Sequence, residues 1–358
     1  MTTQLDAPSV DLTRLEEFAT KVAVDRAIAY NGVLAYLGDR LGLWRALASV
    51  ADTTSEELAE RSGLAERYVR EWLATQAAAG YVTYDGPTCR FSLPAEHALV
   101  LADEDSPVAG VAGFQVITAV YAAADQLAHA YATGEGVAWG DHDPRLFSGV
   151  DRFFRTLYRG SLVSEWLPSV EGLVERLEQG IRVLDVGCGL GSALVLMAEA
   201  FPASTFVGVD NHEESIRLAR AAAAEAGVGD RVTFEVADAT SYGGSHDLVC
   251  FFDAVHDMGD PVGALAHARS VLAEDGVVLA VEPFAHDRLE DGIGSPVTLT
   301  YLAASSALCV PNGMSQGTDT LGAQAGPARL TAAFRAAGFT QAGVAAETPY
   351  NLLIEARA

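Results

Sequence analysis

The chain has 358 residues, half of them hydrophobic, with 48 acidic against 23 basic side chains and a formal net charge of −25. That length exceeds one typical domain without requiring three, and the acidic balance opposes attachment to nucleic acid or to an anionic membrane surface. The four cysteines, Cys89, Cys188, Cys250 and Cys309, are scattered, and no basic-then-apolar signal segment opens the chain, so reduced thiols and a cytoplasmic location are expected.

In chain order, Thr54-Ser55-Glu56-Glu57 opens a helix with a capping signature, and Gly63 closes it. A second helix is predicted over 66–79, then a hairpin around Asp85-Gly86 within 80–93. Helix, turn, helix and wing stand in the order of a DNA-binding module. Charge argues against that use: residues 51–101 hold eight acids against four arginines, and Glu66 and Glu71 match Arg67 and Arg70 on the would-be recognition helix. Nonspecific affinity for DNA comes mostly from neutralising phosphates, so nucleic acid is not an expected partner.

Residues 108–124 are apolar enough to test as a membrane span. Gln115 and Thr118 interrupt the stretch, Asp105 and Asp125 flank it, and no basic residue anchors either end; a buried helix is expected instead. The helical segment 104–164 carries Phe114, Tyr121, Phe147, Phe153, Phe154 and Tyr158. Most belong to the core or an interface, with Phe154 and Tyr158 the two expected to meet a ligand. A helix over 165–179 then leads into a sheet.

Val183-Leu184-Asp185-Val186-Gly187-Cys188-Gly189-Leu190-Gly191 is the most informative run: an apolar strand with one acid, a loop with glycine at every second position, and a helix over 192–201. Such a loop lets a ligand approach the backbone closely, next to unpaired N–H groups of the helix start. The spacing misses G-x-G-x-x-G, since Ser192 or Leu194 falls where the third glycine belongs. Asp185 would also repel a pyrophosphate. A cationic ligand without phosphates, S-adenosylmethionine, suits the loop.

Further short apolar strands each end in an acid: 205–210 at Asp210, 231–239 with Asp238, 247–253 at Asp253, and 276–282 at Glu282. Helical spacing over 213–227 and 261–272 separates them. Near-continuous apolar strands suit a parallel sheet buried on both faces, which binds ligands at its carboxyl edge. Asp210 with Asn211 is expected at the ribose, Asp238 with Ala239 at the adenine, and Asp185, Gly187, Gly189, Gly191 and Asp253 around the rest of the cofactor. His212 is expected to border the adenosine site.

These successive motifs resemble those of class I methyltransferases. From about residue 21 onward the chain is similar to a bacterial family that joins a winged-helix-like segment to such a domain, in the layout of small-molecule O-methyltransferases. The resemblance implies a Rossmann-like α/β sheet of seven strands with the last antiparallel, 343–347 and 351–356 supplying strands six and seven. It implies S-adenosylhomocysteine as product, a small-molecule substrate, and a homodimer formed through the N-terminal part. The expected division is 1–103 for the helical, winged-helix-like dimerisation domain, 104–164 for a connector and substrate cap, and 165–358 for the methyltransferase domain.

After Asp253 comes Ala254-Val255-His256-Asp257-Met258. Methylating a hydroxyl requires aligning its oxygen and removing its proton, a task suited to imidazole. The run resembles the His-Asp-Trp-x-Asp motif of plant-type enzymes, in which the histidine is the general base, so His256 is the expected base and Glu282 its orienting acid. Met258 replaces the motif's tryptophan, and a second orienting acid is not evident around 326–330. His256 capping a helix, binding the cofactor's carboxylate through water, or binding a metal with Glu282 are the alternatives, though the clustered ligands of a dedicated metal site are missing. The insertion 285–325 is expected to complete the pocket through Tyr301, Asn312, Met314 and Gln316.

Overall fold

A computed structural model describes residues 10–358, and these divide into two compact units between Thr118 and Ala119. The first nine residues, where no signal segment was expected, lie outside the described residues.

The first unit begins with the long helix Leu12–Arg40, followed by Leu43–Ala48, Ser55–Ser62 and Glu66–Ala78. A short antiparallel pair, β1 (Thr83–Asp85) and β2 (Arg90–Ser92), and the helix Ala95–Leu101 follow. The expected capping box is present: the Thr54 hydroxyl accepts the Glu57 N–H, and the Glu57 carboxylate accepts the Thr54 N–H. Thr53 bridges Phe91 in antiparallel fashion and so ties the wing to the helices. Trp44 and Trp72 meet edge-on at 4.6 Å in the core, and their indole N–H groups donate to the Ala35 and Leu34 carbonyls. Burying two indoles costs little when each finds such a partner.

The second unit holds a seven-stranded sheet: β3 (Arg182–Val186), β4 (Thr205–Asp210), β5 (Val232–Val236), β6 (His246–Phe252), β7 (Leu272–Pro283), β8 (Gln341–Glu347) and β9 (Asn351–Arg357). Their order across the sheet is β5-β4-β3-β6-β7-β9-β8; β3 to β7 pair in parallel and β9 runs antiparallel to both its neighbours. Strand order reverses between β3 and β6, the crevice where open α/β sheets take their ligands. The sheet is buried on both faces. Leu248, Cys250 and Phe252 enter one core with Val277, Leu279 and Val281, while Val249, Phe251, Val278 and Ala280 enter the other. This two-residue alternation is that of a pleated strand.

Two local expectations change. The helix expected over 165–179 is interrupted: a π-helical run Tyr158–Trp166 passes into a 3-10 turn Leu167–Ser169, and only Leu173–Gln179 is α-helical. Pro168 lacks the N–H that a continuing helix needs, and Gly172 stands in the left-handed region at φ +72°. Strand β7 begins at Leu272, where the expected helix was still running, because His246 and Leu272 pair before the register shifts. The apolar stretch 108–124 forms the helix Ala112–Ala122, and among the described residues no helix is long and apolar enough to cross a membrane. Residues 119–164, most of the stretch read as a connector, belong to the second unit, where Leu157, Tyr158, Leu162 and Trp166 pack into the sheet's core.

Candidate active site at the carboxyl edge of the sheet

The glycine loop follows β3. Gly187, Gly189 and Gly191 take φ values of +79°, +52° and +80°, a region that side chains with a Cβ avoid. The Gly187 and Cys188 N–H groups donate to the Val209 carbonyl, and a Cβ on Gly191 would lie 2.5 Å from the Phe234 ring. The loop is thereby pressed onto β4 and β5. Asp210, at the end of β4, accepts the Gly189 N–H at 3.0 Å and the His212 N–H at 2.9 Å.

Asp185 is buried, and its Oδ1 has no hydrogen-bond partner. Burial, with Asp210 nearby, pushes its pKa up to about 8. Burial also raises Asp210. Asp253 holds a left-handed backbone at φ +59°, unusual for a residue with a side chain. Its carboxyl is pushed up to about 7 by burial, against the opposing pull of His256. A buried oxygen lacking a donor, within a group of acids reluctant to ionise, is matched by a ligand that brings a positive charge and N–H donors. The loop and acids therefore fit S-adenosylmethionine, whose ammonium and sulfonium would answer them. Asp238 and Asn211 lie exposed at the same edge, and Ala239 is half-buried. The Asp238 N–H is engaged by the Ser241 hydroxyl.

His256 stands in the turn Val255–Asp257 just beyond β6, and Glu282 near the end of the adjacent β7. His256 Nδ1 and Glu282 Oε2 are 2.7 Å apart, with both side chains almost wholly buried. The carboxylate also accepts the Ala254, Val255 and His256 backbone N–H groups at 3.0–3.3 Å. Burial favours a neutral imidazole, but Cys309 and Glu282 outweigh it and hold His256 well above the usual histidine range. The His256 carbonyl accepts from the Gly322 N–H and the Thr320 hydroxyl. Among the described residues, no three His, Cys, Asp or Glu side chains are grouped to hold a metal.

Tyr158 is the aromatic residue best placed near these acids. Its phenol is raised well above the usual value by burial and by Asp185, Asp253 and Asp151. Its ring lies 6.1 Å from Phe154 and 5.9 Å from Phe252. Tyr301 donates its hydroxyl to the Tyr350 carbonyl, and its phenol is raised mainly by burial, with Asp253 adding to the effect. Asn312 serves as a brace: it donates to the Asp257 carbonyl and accepts from the Trp139 N–H and the Gln316 amide. Met314 is half-buried on the same helix, Val310–Gln316, whose links to the His256 loop run through Asn312. His212 is engaged by Ser215 and lies against Phe147, beside Asp210.

Two participants gave no signal in the sequence. Asp151, on the helix Arg145–Leu157, accepts the Ser192 hydroxyl at the start of the helix after the glycine loop and pairs with Arg155. Cys309, the last residue of the turn Ser305–Cys309, contributes to raising His256. Each is a lone residue of common type, and only folding brings it near the loop.

Residues 177–309 match the family described as a methyltransferase domain, and residues 29–103 the family described as an Rv2258c-like winged HTH domain. With the strand order and glycine loop, this defines the second unit as a class I methyltransferase domain, a class that uses S-adenosylmethionine. The chain as a whole joins that domain to an N-terminal winged helix-turn-helix domain.

A curated relative is the 27-O-demethylrifamycin SV methyltransferase of Amycolatopsis mediterranei, 35% identical over 103 residues, 28% of this chain and 38% of the relative. The match thus spans well under half the relative's length. Among solved structures, mitomycin 7-O-methyltransferase MmcR is similar with a TM-score of 0.67 at 20% identity, covering 97% of this chain and all of that one. Human N-acetylserotonin methyltransferase, solved in complex with SAM, gives 0.68 at 15% identity, covering 98% and 99%. At such identities the likeness speaks for the fold.

Proposed function

We propose that the protein methylates a hydroxyl group of a small, aromatic or polyketide-like molecule, with His256 as general base and Glu282 as the carboxylate that orients it. The buried 2.7 Å pairing of His256 Nδ1 with Glu282 Oε2, at the ligand-binding edge of a methyltransferase sheet, carries this reading. S-adenosylmethionine, when bound, supplies a methyl group on a sulfonium that departs as S-adenosylhomocysteine. Asp185, Asp210 and Asp253 hold its charged and hydroxylated parts, with the Gly187–Gly191 loop against its backbone-facing side. Asn211, Asp238 and Ala239 border its nucleoside. Phe154, Tyr158, Tyr301 and Met314 wall the acceptor.

With Nδ1–H donated to Glu282, Nε2 of His256 presents the lone pair that takes the acceptor's hydroxyl proton. Glu282 fixes that tautomer and stabilises the imidazolium that forms. The three backbone N–H groups on the carboxylate keep it in place while the ring changes charge.

Calorimetric titration with S-adenosylmethionine, then a mass-shift screen across phenols, tests the activity. A +14 mass shift lost in His256→Gln that still binds cofactor supports the base, and full activity in that variant removes it. Turnover without release of S-adenosylhomocysteine would point to non-methylating chemistry on the same scaffold.

The same reading makes the protein a cytoplasmic homodimer. The helix Leu12–Arg40 supports the dimer, since Leu15, Phe18, Val22 and Ile28 lie exposed on it. The winged helix favours DNA binding as a second reading. Against it, Arg67 and Arg70 pair with Glu71 and Glu66, and Arg90 pairs with Asp52 and Glu57.

A further inference from the structure

The turn that carries His256 is held from two sides. Its backbone N–H groups at Ala254, Val255 and His256 face Glu282, and its carbonyls face the insertion 285–325. The His256 carbonyl takes the Gly322 N–H and the Thr320 hydroxyl, and the Gly259 carbonyl takes the Asp319 N–H at 3.2 Å. Between them, the Asp257 carbonyl takes the Asn312 amide at 3.2 Å. Glycine lets these backbones come so close: a Cβ on Gly259 would lie 2.4 Å from the Gly317 nitrogen and 2.7 Å from the Gly313 oxygen.

Asn312 also reaches away from the turn. Its Oδ1 accepts the Trp139 N–H and the Gln316 amide, each at 3.0 Å. Trp139 opens the 3-10 turn Trp139–Asp141, part of a strap laid on the helix Val310–Gln316. The Val137 N–H donates to the Pro311 carbonyl, and a Cβ on Gly136 would lie 2.4 Å from the Ser315 nitrogen. The other side of the strap meets His212, whose N–H Asp210 accepts: a Cβ on Gly140 would stand 3.4 Å from the His212 ring, and the Trp139 ring leads through Phe147 to the same imidazole. Buried Asn312 thus stands between the segment beside Asp210 and the turn of His256.

We propose that Asn312 is a positioning residue for His256: it ties the turn Val255–Asp257 to the strap beside Asp210, so that base and cofactor are held on one frame. This role rests on His256 being the base. Methyl transfer is an in-line displacement, and a misplacement of about 1 Å in such a geometry costs about 10²-fold in rate. A carboxamide suits the place because it donates on one side and accepts on the other. The Asp257 carbonyl and the Trp139 N–H face it from different elements, and an apolar side chain would leave both unpaired.

Nitrogen-15 NMR of histidine-labelled, cofactor-free protein tests this without any acceptor. Asn312→Leu keeps a side chain of similar size and removes its three hydrogen bonds, so the backbone and ring signals of His256 should move. Trp139→Ala and Trp139→Pro both lose the indole, but only proline also loses the N–H, at the first position of a 3-10 turn, where its ring is tolerated. The His256 signals should move further in Trp139→Pro, since that N–H reaches the turn through Asn312. On the phenol panel, kcat of Asn312→Leu should fall about 10²-fold with acceptor KM little changed. His256 signals that stay in place in Asn312→Leu, or that coincide in the two Trp139 variants, would overturn the proposal; the Trp139 pair serves alone if leucine disturbs folding. Turnover of His256→Gln separates the two ideas: if activity persists there while Asn312→Leu moves the His256 signals, the base assignment fails and the tie to the strap stands.

Discussion

Glu282 meets His256 twice, accepting its Nδ1–H at 2.7 Å and its backbone N–H at 3.2 Å, while two further backbone N–H groups donate to the same buried carboxylate. Every partner is a donor, so a group with its own N–H hydrogens cannot substitute. Glu282→Gln turns one oxygen into an amide that points hydrogens at hydrogens. Breaking a buried charged network of this kind costs about 3–5 kcal/mol. Chemical denaturation of the variant should show a loss of that order, and methyl transfer should fall with it. An unchanged denaturation midpoint would contradict the arrangement.

Activity should depend on pH in a specific direction. A base must be neutral to accept a proton, and His256 is held above the usual histidine range through Cys309 and Glu282, against the effect of burial. The acidic limb of kcat/KM should therefore lie above about pH 6.5, the ordinary histidine value, with activity rising as pH increases through it. His256→Gln should remove this limb and lower kcat about 10²- to 10⁴-fold, the span of general-base contributions. A rate-against-pH profile of both proteins decides it.

Cofactor binding should release protons. Asp185, with a pKa near 8, is largely protonated in the free protein at neutral pH, and Asp253 titrates near 7. A cationic ligand favours the carboxylates, so affinity for S-adenosylmethionine should rise with pH up to about 8 and then level off. Calorimetry at pH 7 in buffers of different ionisation enthalpy should read this release, and Asp185→Asn should reduce it. The same shift makes a stability statement. A carboxyl raised on folding contributes stability fully present below its unfolded value near 4 and lost as pH rises through 8. The ligand-free Tm should fall as pH rises from about 5 to about 8 and level off above that, with a smaller fall in Asp185→Asn.

Duplex DNA should not bind. The arginines Arg67 and Arg70 of the helix Glu66–Ala78 and Arg90 of the wing are already paired with Glu71, Glu66, Asp52 and Glu57 within their own unit. Fluorescence anisotropy with random duplexes at low salt should stay flat. A salt-sensitive rise would reopen a regulatory role, because phosphate contacts carry that signature.

Dimer formation should depend on the long first helix. Phe18→Asp combined with Ile28→Asp places charge on exposed apolar positions and should leave each unit folded. Light scattering after size exclusion should show a dimer for wild type and a monomer for the double variant; equal masses would exclude this helix as the contact.

The parts legible beforehand were those written in local pattern. The Thr54–Glu57 box, the glycine loop and the acids closing each strand announce themselves through neighbours in sequence. The interruption at 167–172 was partly legible too, since Pro168 and Gly172 are breakers, yet the apolar spacing around them suggested one continuous helix. Cys309 carried no such mark, and neither did Asp151, whose carboxylate meets Ser192 across 41 positions of chain.

The sequence by itself determined a parallel sheet with a ligand edge, because burial on both faces and strand-terminal acids leave a residue-by-residue trace. It also determined that Glu282 ends the strand next in sequence after the one that His256 follows. Only the tertiary structure decided that the two meet at hydrogen-bond distance, that Asp185 keeps an unpartnered oxygen, and that a π-helical turn packs on the Val255–Asp257 turn. Those relationships arise from the register between strands and the packing of a distant insertion, and no single stretch of chain contains them.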